Sequence, residues 1–221
     1  MRQVRNLPGP AVILAAYVIG SIPFSGLLAR KLEGVDLRTV GTGTVSGTGL
    51  FRVAGLGPLL VGGILDLAKG SAGPLLAGAH RPTLQVAAGA AGVTGHNWSM
   101  FLGGAGGRGI SPAMGALTVL APEGAAVLLT GLAVGRSIRA TSLGALGSYL
   151  ALVPVLSRTR GRRGGLIAVT LIAPLLLKRI AGNRAVRGPQ RGRVYLNRLL
   201  FDQDESQLPA VRRVRPAGAT P

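Results

Sequence analysis

Residues 10–31 read PAVILAAYVIGSIPFSGLLARK. From Pro10 to Leu28 no side chain carries a charge, and Arg30 and Lys31 then close the run. About 20 apolar residues are needed to cross the hydrocarbon core of a bilayer, so this stretch predicts a membrane-spanning helix. Six further apolar segments follow: about Leu56 to Ala79, Thr83 to Leu102, Ile110 to Pro122, Gly124 to Val134, Ser142 to Leu156, and Leu166 to Leu177. The second of the seven carries Asp66 and Lys69 within it, and the last four are short enough to merge or split. The expectation is an all-α, polytopic integral membrane helical bundle with about seven transmembrane helices, five to seven in all.

The composition supports that class and excludes others. The 221 residues include no cysteine, which rules out a disulfide framework, a cysteine zinc site and a thiol nucleophile. His80 and His96 are the two histidines, too few for a histidine-rich metal centre. The formal charge of +18 invites a nucleic-acid reading, but a nucleic-acid surface joins its charge to a polar fold and stacking aromatics. Here 48% of residues are apolar, 4% aromatic and 14% charged, against roughly 25% charged in soluble domains. Apolar spans with basic loops facing anionic lipid account for both facts, so membrane lipid and not nucleic acid is the expected partner.

Loop charges orient the chain, because Lys and Arg accumulate on the cytoplasmic side. With the N-terminus outside, seventeen of the 25 basic residues lie inside, ten of them after the last span. Seven lie outside, including the cluster Arg158, Arg160, Arg162 and Arg163, and Lys69 falls within a span. The bias favours an N-terminus outside and a cytoplasmic C-terminus. The Arg cluster sits against it, and would also fit a short helix pair that does not cross fully. A cleaved signal peptide would likewise put Arg2 and Arg5 before an apolar run, but no small-x-small site leading into a soluble domain follows. The domain division is 1–183 for the membrane unit and 184–221 for a basic, solvated and disordered cytoplasmic tail, rich in Arg, Pro and Gly.

Polar, glycine-rich stretches fall at the predicted inner ends of the spans. Residues 41–52 read GTGTVSGTGLFR. Glycines let backbone N–H groups approach an anion, four hydroxyls can donate, and Arg52 offers a planar fork for phosphate. A flexible loop joining two helices is the equal alternative. Gly95-His96-Asn97-Trp98 precedes residues 103–110, GGAGGRGI, where a lone Arg108 in a run of glycines sits before a new helix. An anion nest and a tight turn both fit, and the Gly-Lys-Ser/Thr ending of a Walker loop is missing. Ser142, Arg179 and Asn183 read as caps or headgroup anchors. Asp66 and Lys69, three apart, share a helix face where they can neutralise one another within the membrane.

In order and spacing, these segments resemble the bacterial membrane glycerol-3-phosphate acyltransferases that use acyl phosphate, the PlsY family, from about Tyr17 to Asn183. Residues 17–24, YVIGSIPF, are similar to that family's YLxGSIPF; 36–41, DLRTVG, lead into its first motif. That motif, usually GSGNxGATNxxR, is GTGTVSGTGLFR here. DLAKG at 66–70 is similar to D-x-x-K-G, AGGRG at 105–109 to KGGKG, Ser142-Leu143-Gly144 to SLGS, and Arg179 with Asn183 to R-H-x-x-N. Four departures stand out: Thr44 and Gly49 replace two asparagines, Ala105 the first lysine of the second motif, and Ile180 the histidine of the third.

The resemblance implies transfer of a fatty acyl group from acyl phosphate to the sn-1 hydroxyl of glycerol 3-phosphate, in phospholipid biosynthesis at the bacterial inner membrane. It implies no cofactor and no metal. Thr42, Arg108, Ser142 and Asn183 are the residues it assigns to catalysis. Gly41, Gly43, Thr48, Arg52, Lys69, His96, Gly106, Gly107 and Gly109 are those it assigns to substrate and phosphate binding. An acyl phosphate is already activated, so orientation supplies much of the rate and the donor's own phosphate can act as base. The rival reading is a relative that binds a phosphorylated lipid precursor without turning it over.

Overall fold

The computed structural model describes residues 7–186 and 191–203. Their secondary structure is helical: α1 (Gly9–Ser21), α2 (Phe24–Glu33), α3 (Gly47–Ala54), α4 (Leu56–Ala77), α5 (Pro82–Asn97), α6 (Ile110–Leu120), α7 (Pro122–Ser137), α8 (Thr141–Ala181) and α9 (Arg191–Phe201). The basic residues Arg2, Arg5, Arg187, Arg212, Arg213 and Arg215 of the orientation count lie outside the described residues.

Prolines and glycines set the breaks. Pro23 disfavours a helical conformation in the residue before it, and Ile22 is extended at ψ 116°, so α1 stops and α2 restarts beyond it. Pro82 and Pro122 open α5 and α7 at the first turn, where a missing N–H leaves no bond unmade. The longest run, α8, contains Gly161 at φ 60° and ψ −150°, which is not helical. A straight 41-residue helix would be about 60 Å long. Yet Arg179 near its end donates to the carbonyl of Ser142 near its start, at 2.8 Å. Hence α8 is a hairpin of two antiparallel arms, each about 30 Å long and matched to a bilayer core. Arg158, Arg160, Arg162 and Arg163 surround its exposed tip.

Six of the seven expected apolar segments therefore lie largely in one helix or one arm of α8, whereas the first, Pro10 to Leu28, is divided between α1 and α2 by the break at Pro23. Among the described residues three segments are long and apolar enough to cross a membrane: Gly9–Glu33, Leu56–Ala77 and Thr141–Ala181, while Ile110–Leu120 is a shorter apolar helix. The third expected span ends sooner than Leu102, because α5 stops at Asn97 and Met100–Leu102 forms a separate 3-10 turn. Leu14, Leu60, Ile64, Leu75, Leu129, Leu150, Leu166 and Leu177 project outward from α1, α4, α7 and both arms of α8. Apolar helix faces of that kind suit lipid as solvent.

Inside, α5 to α8 share the main core, built on Val93, Leu117, Leu128, Leu152, Leu156, Ile167 and Leu171. A second cluster joins α1, α4 and α5 through Val12, Ala16, Ala77 and Ala88. The helices approach closely where glycines face a neighbouring backbone: a Cβ on Gly115 would collide with the carbonyl of Leu67, and one on Gly70 with that of Pro112. Small residues at crossings are how helices associate in lipid, where burial alone gives little drive.

The tail departs from expectation. Residues 191–201 form α9, which packs against the end of α8 and buries Arg198. A solvated, disordered extension therefore does not describe residues 191–203. Arg198 reaches back to the carbonyls of Ile180, Ala181 and Arg184. The first two are orphan acceptors at the C-terminus of α8 and the third lies just beyond it, and a cation meets both their hydrogen-bonding need and the helix dipole.

Candidate functional site

The polar segments meet at the end of the bundle where α1, α5 and α8 finish and α3, α4 and α6 begin. The approach to the first loop is fixed by Asp36. Its carboxylate accepts from the backbone N–H and side chain of Arg38 and from Arg30. Those bonds, above all the one from the Arg38 side chain, hold its carboxyl well below the usual carboxylate range. Gly41 and Gly43 then take φ 56° and 70°, left-handed values that favour glycine. Thr42 and Thr44 hydroxyls lie 2.8 Å apart, and Ser46 caps α3 by accepting from Gly49. Thr48 and Arg52 are exposed on α3, and Arg52 makes no hydrogen bond or ion pair with the described residues.

Asn183 joins this loop to the second. Its amide donates to the carbonyls of Gly43 at 2.9 Å and Gly106 at 2.8 Å, and accepts from the N–H of Gly106 at 3.2 Å. Val45 donates to the Gly106 carbonyl as well. Gly107 donates to the carbonyl of His96, and Ala105 to that of Leu102. The nest expected of this loop is therefore not available: Gly106 and Gly107 turn their N–H groups inward, because packing the loop against α5 and Asn183 satisfies them there. Gly109, at φ 76°, precedes α6 and leaves no side chain against Asn97, whose amide ties α5 to Pro174 of α8 at 2.7 Å.

Arg108 holds an anion. Its Nε lies 2.7 Å from a carboxylate oxygen of Asp202, just past α9, while one Nη donates to the carbonyl of Lys178 at 3.0 Å. Arg179 donates to the carbonyls of Ser142, Arg198 and Leu200, and the Ser142 hydroxyl donates to that of Phe201. So Arg108, Ser142 and Arg179 all meet the C-terminal end of α9. Asp202, Arg198 and Lys178 are site residues that motif reading passed over; the acidic run Asp202, Asp204 and Glu205 in a mainly basic tail was the available signal for the first.

Deeper in the bundle, Asp66 and Lys69 do pair, with 2.9 Å between Oδ1 and Nζ and both residues buried. Lys69 also donates to the carbonyl of Ile22 at 2.6 Å, an acceptor released by the break at Pro23. Ser25 donates to the other carboxylate oxygen at 3.3 Å, and Nδ1 of His96 stands 3.8 Å from the first. The cavity lined by Phe24, Ser25, Asp66, Lys69, His96 and Gly107 has a volume of about 10 Å³. That is the limit for a single water, so no substrate phosphate reaches Lys69 or His96 in this conformation. A much larger apolar cleft, about 510 Å³, runs between α7 and the first arm of α8 from Gly144 to Glu123. Among the described residues no group of three or more His, Asp or Glu is placed to hold a metal.

Comparison with known proteins adds to this geometry. The profile of the family described as Glycerol-3-phosphate acyltransferase matches residues 10–185. A glycerol-3-phosphate acyltransferase of Myxococcus xanthus is 42% identical over 144 residues, covering 62% of this chain and 74% of the relative. One from Halalkalibacterium halodurans is 35% identical over 178 residues, covering 76% and 85%. Among solved structures, PlsY, an integral membrane glycerol 3-phosphate acyltransferase, superposes in its glycerol 3-phosphate form with a TM-score of 0.71 and 28% identity, covering 89% of this chain and 94% of that one. Its lysophosphatidic acid form gives 0.70 and 26%, covering 89% and 93%.

Proposed function

The chain belongs to the glycerol-3-phosphate acyltransferase family, and from that premise we propose that it moves a fatty acyl group from acyl phosphate to the sn-1 hydroxyl of glycerol 3-phosphate. It is a membrane acyltransferase of phospholipid synthesis. The observation that carries the finer reading is that Asn183 and Arg179 tie three motif segments together at one end of the bundle, where Arg108 already holds a carboxylate.

In the proposed step the hydroxyl oxygen bonds to the acyl carbon, the bond from that carbon to the phosphate oxygen breaks, and the hydroxyl proton passes to phosphate. The products are lysophosphatidate and inorganic phosphate. A substrate phosphate takes the place of the Asp202 carboxylate on Arg108, with exposed Arg52 as a second ligand from α3. Thr42 and Ser142 orient the hydroxyl and the acyl carbonyl, and Asn183 acts as a positioning residue by holding both loops. The Gly144 end of the α7–α8 cleft lies two residues from Ser142, which makes that cleft the slot for the acyl chain. Lys69 and His96 support the loop from beneath. The site end also collects Arg30, Lys31, Arg38, Arg136 and Arg139, and the excess of basic residues there supports a site that faces the cytoplasm at the inner membrane.

The test is direct. Purified protein in phospholipid, given acyl phosphate and labelled glycerol 3-phosphate, is expected to form labelled lysophosphatidate. No product above background, with an active relative alongside, would refute the reading.

A further inference from the structure

Lys178 sits on the last turn of α8 and is 1% exposed. Its ammonium lies 5.1 Å from the centroid of the Trp98 ring and donates one long hydrogen bond, 3.4 Å, to the carbonyl of Gly104. No carboxylate lies within ion-pair distance of it among the described residues. The other buried cations are handled differently. Lys69 pairs with Asp66, while Arg179 and Arg198 each distribute a fork over three carbonyls; part-buried Arg108 pairs with Asp202. An ammonium has three donors, and a buried charge left without a counterion is expensive unless something else compensates it. Ionisable groups placed within a membrane protein in this way mark ligand sites by default.

The surroundings specify what would compensate it. Arg108, from the loop before α6, donates to the carbonyl of Lys178 itself, so the two cations meet at the last turn of α8. The loop between them turns inward the N–H groups of Gly104, Ala105, Gly106 and Gly107. An anion at this loop therefore meets side-chain cations and not backbone donors. In front of Gly103 and Gly104, both at positive φ, the space is open: a Cβ on either would touch nothing within 4 Å. We infer that Lys178 supplies a further cation of the phosphate site, beside Arg108 and in addition to Arg52, for a phosphate monoester or acyl phosphate. Sequence position 105, an alanine here, is where a lysine stands in the motif this loop resembles. Lys178 restores that charge from α8, since its Nζ reaches the carbonyl of the adjacent Gly104.

The inference rests on the proposed acyl transfer for its substrate, so its test includes binding alone. The full chain in phospholipid is titrated with inorganic phosphate as wild type, Lys178→Met, Lys178→Arg, and Lys178→Met combined with Ala105→Lys. Loss of one charge-assisted hydrogen bond is expected to weaken phosphate binding about 10- to 100-fold in Lys178→Met. The second lysine is expected to recover most of it, and Arg to retain binding within about tenfold. Separate titrations of glycerol 3-phosphate and of acyl phosphate in turnover show which substrate's KM carries the loss. Phosphate affinity and both KM values within twofold of wild type in Lys178→Met would overturn the inference. So would a loss that Ala105→Lys leaves unrescued in a protein that Lys178→Arg keeps folded. A wild type that binds phosphate through Lys178 but forms no lysophosphatidate would refute the acyl transfer and leave this site standing.

Discussion

Replacing Asn183 tests how the two glycine loops are held. In Asn183→Ala three hydrogen bonds disappear, two donated to Gly43 and Gly106 and one accepted from Gly106. At a net of about 1 kcal/mol each, the loops lose roughly 3 kcal/mol of mutual attachment. If all of that attachment positions Arg108 and Thr42 in the transition state, kcat/KM falls by up to about 150-fold. The helices themselves lose nothing, so the thermal transition of the bundle in detergent should move little, as expected for a local opening. Asn183→Asp gives the sharper result. It keeps an acceptor for the Gly106 N–H but sets a carboxylate against two carbonyl oxygens, so it should be less active than Ala despite being closer in shape. Initial rates with both substrates varied, alongside circular dichroism melts, measure both effects. An Asp variant more active than the Ala variant, or an Ala variant above half of wild-type kcat/KM, would refute the clamp.

Three further outcomes follow from the packing and the charges. Asp66→Asn strands the buried ammonium of Lys69 and is expected to destabilise the bundle by about 3–5 kcal/mol, whereas Asp66→Leu with Lys69→Met should recover much of that; melting in detergent compares them. Gly115→Ala drives a methyl into the Leu67 carbonyl and should cost about 1–3 kcal/mol, while Gly63→Ala, in the same helix pair but with open space at its Cβ, should be neutral or slightly stabilising. Asp202→Asn removes the carboxylate that holds Arg108, so KM for the phosphate substrate should fall severalfold at unchanged kcat. A rise in KM would show instead that Asp202 orients the guanidinium for substrate.

Local chemistry made much of this legible. A 19-residue uncharged run and its successors specify apolar helices, because the hydrocarbon core admits few other backbones. Pro23, Pro82 and Pro122 stand at helix breaks, although Pro74, Pro154 and Pro174 are carried inside helices, and Asp66 three residues before Lys69 fixes a shared helix face. The family pattern was readable for the same reason, since its glycines answer local needs such as the positive φ at Gly41, Gly43 and Gly109.

Other features depended on which segments meet in space. Nothing in the order of residues says that Asn183 bridges Gly43 and Gly106, 140 and 77 positions away. Composition made the tail look solvated, because Arg is ordinarily hydrated; Arg198 is buried because the end of α8 and the segment just after it present three carbonyls that only a long fork reaches at once. The inward turn of the Gly106 and Gly107 N–H groups, and with it the shift of anion binding from backbone to the side chains of Arg108 and Lys178, was equally a tertiary decision. Sequence by itself determined where helices form and which residues carry charge. The fold decided which of those charges are neutralised and which remain for a substrate, because each hydrogen bond and ion pair depends on distances that the chain's order does not contain.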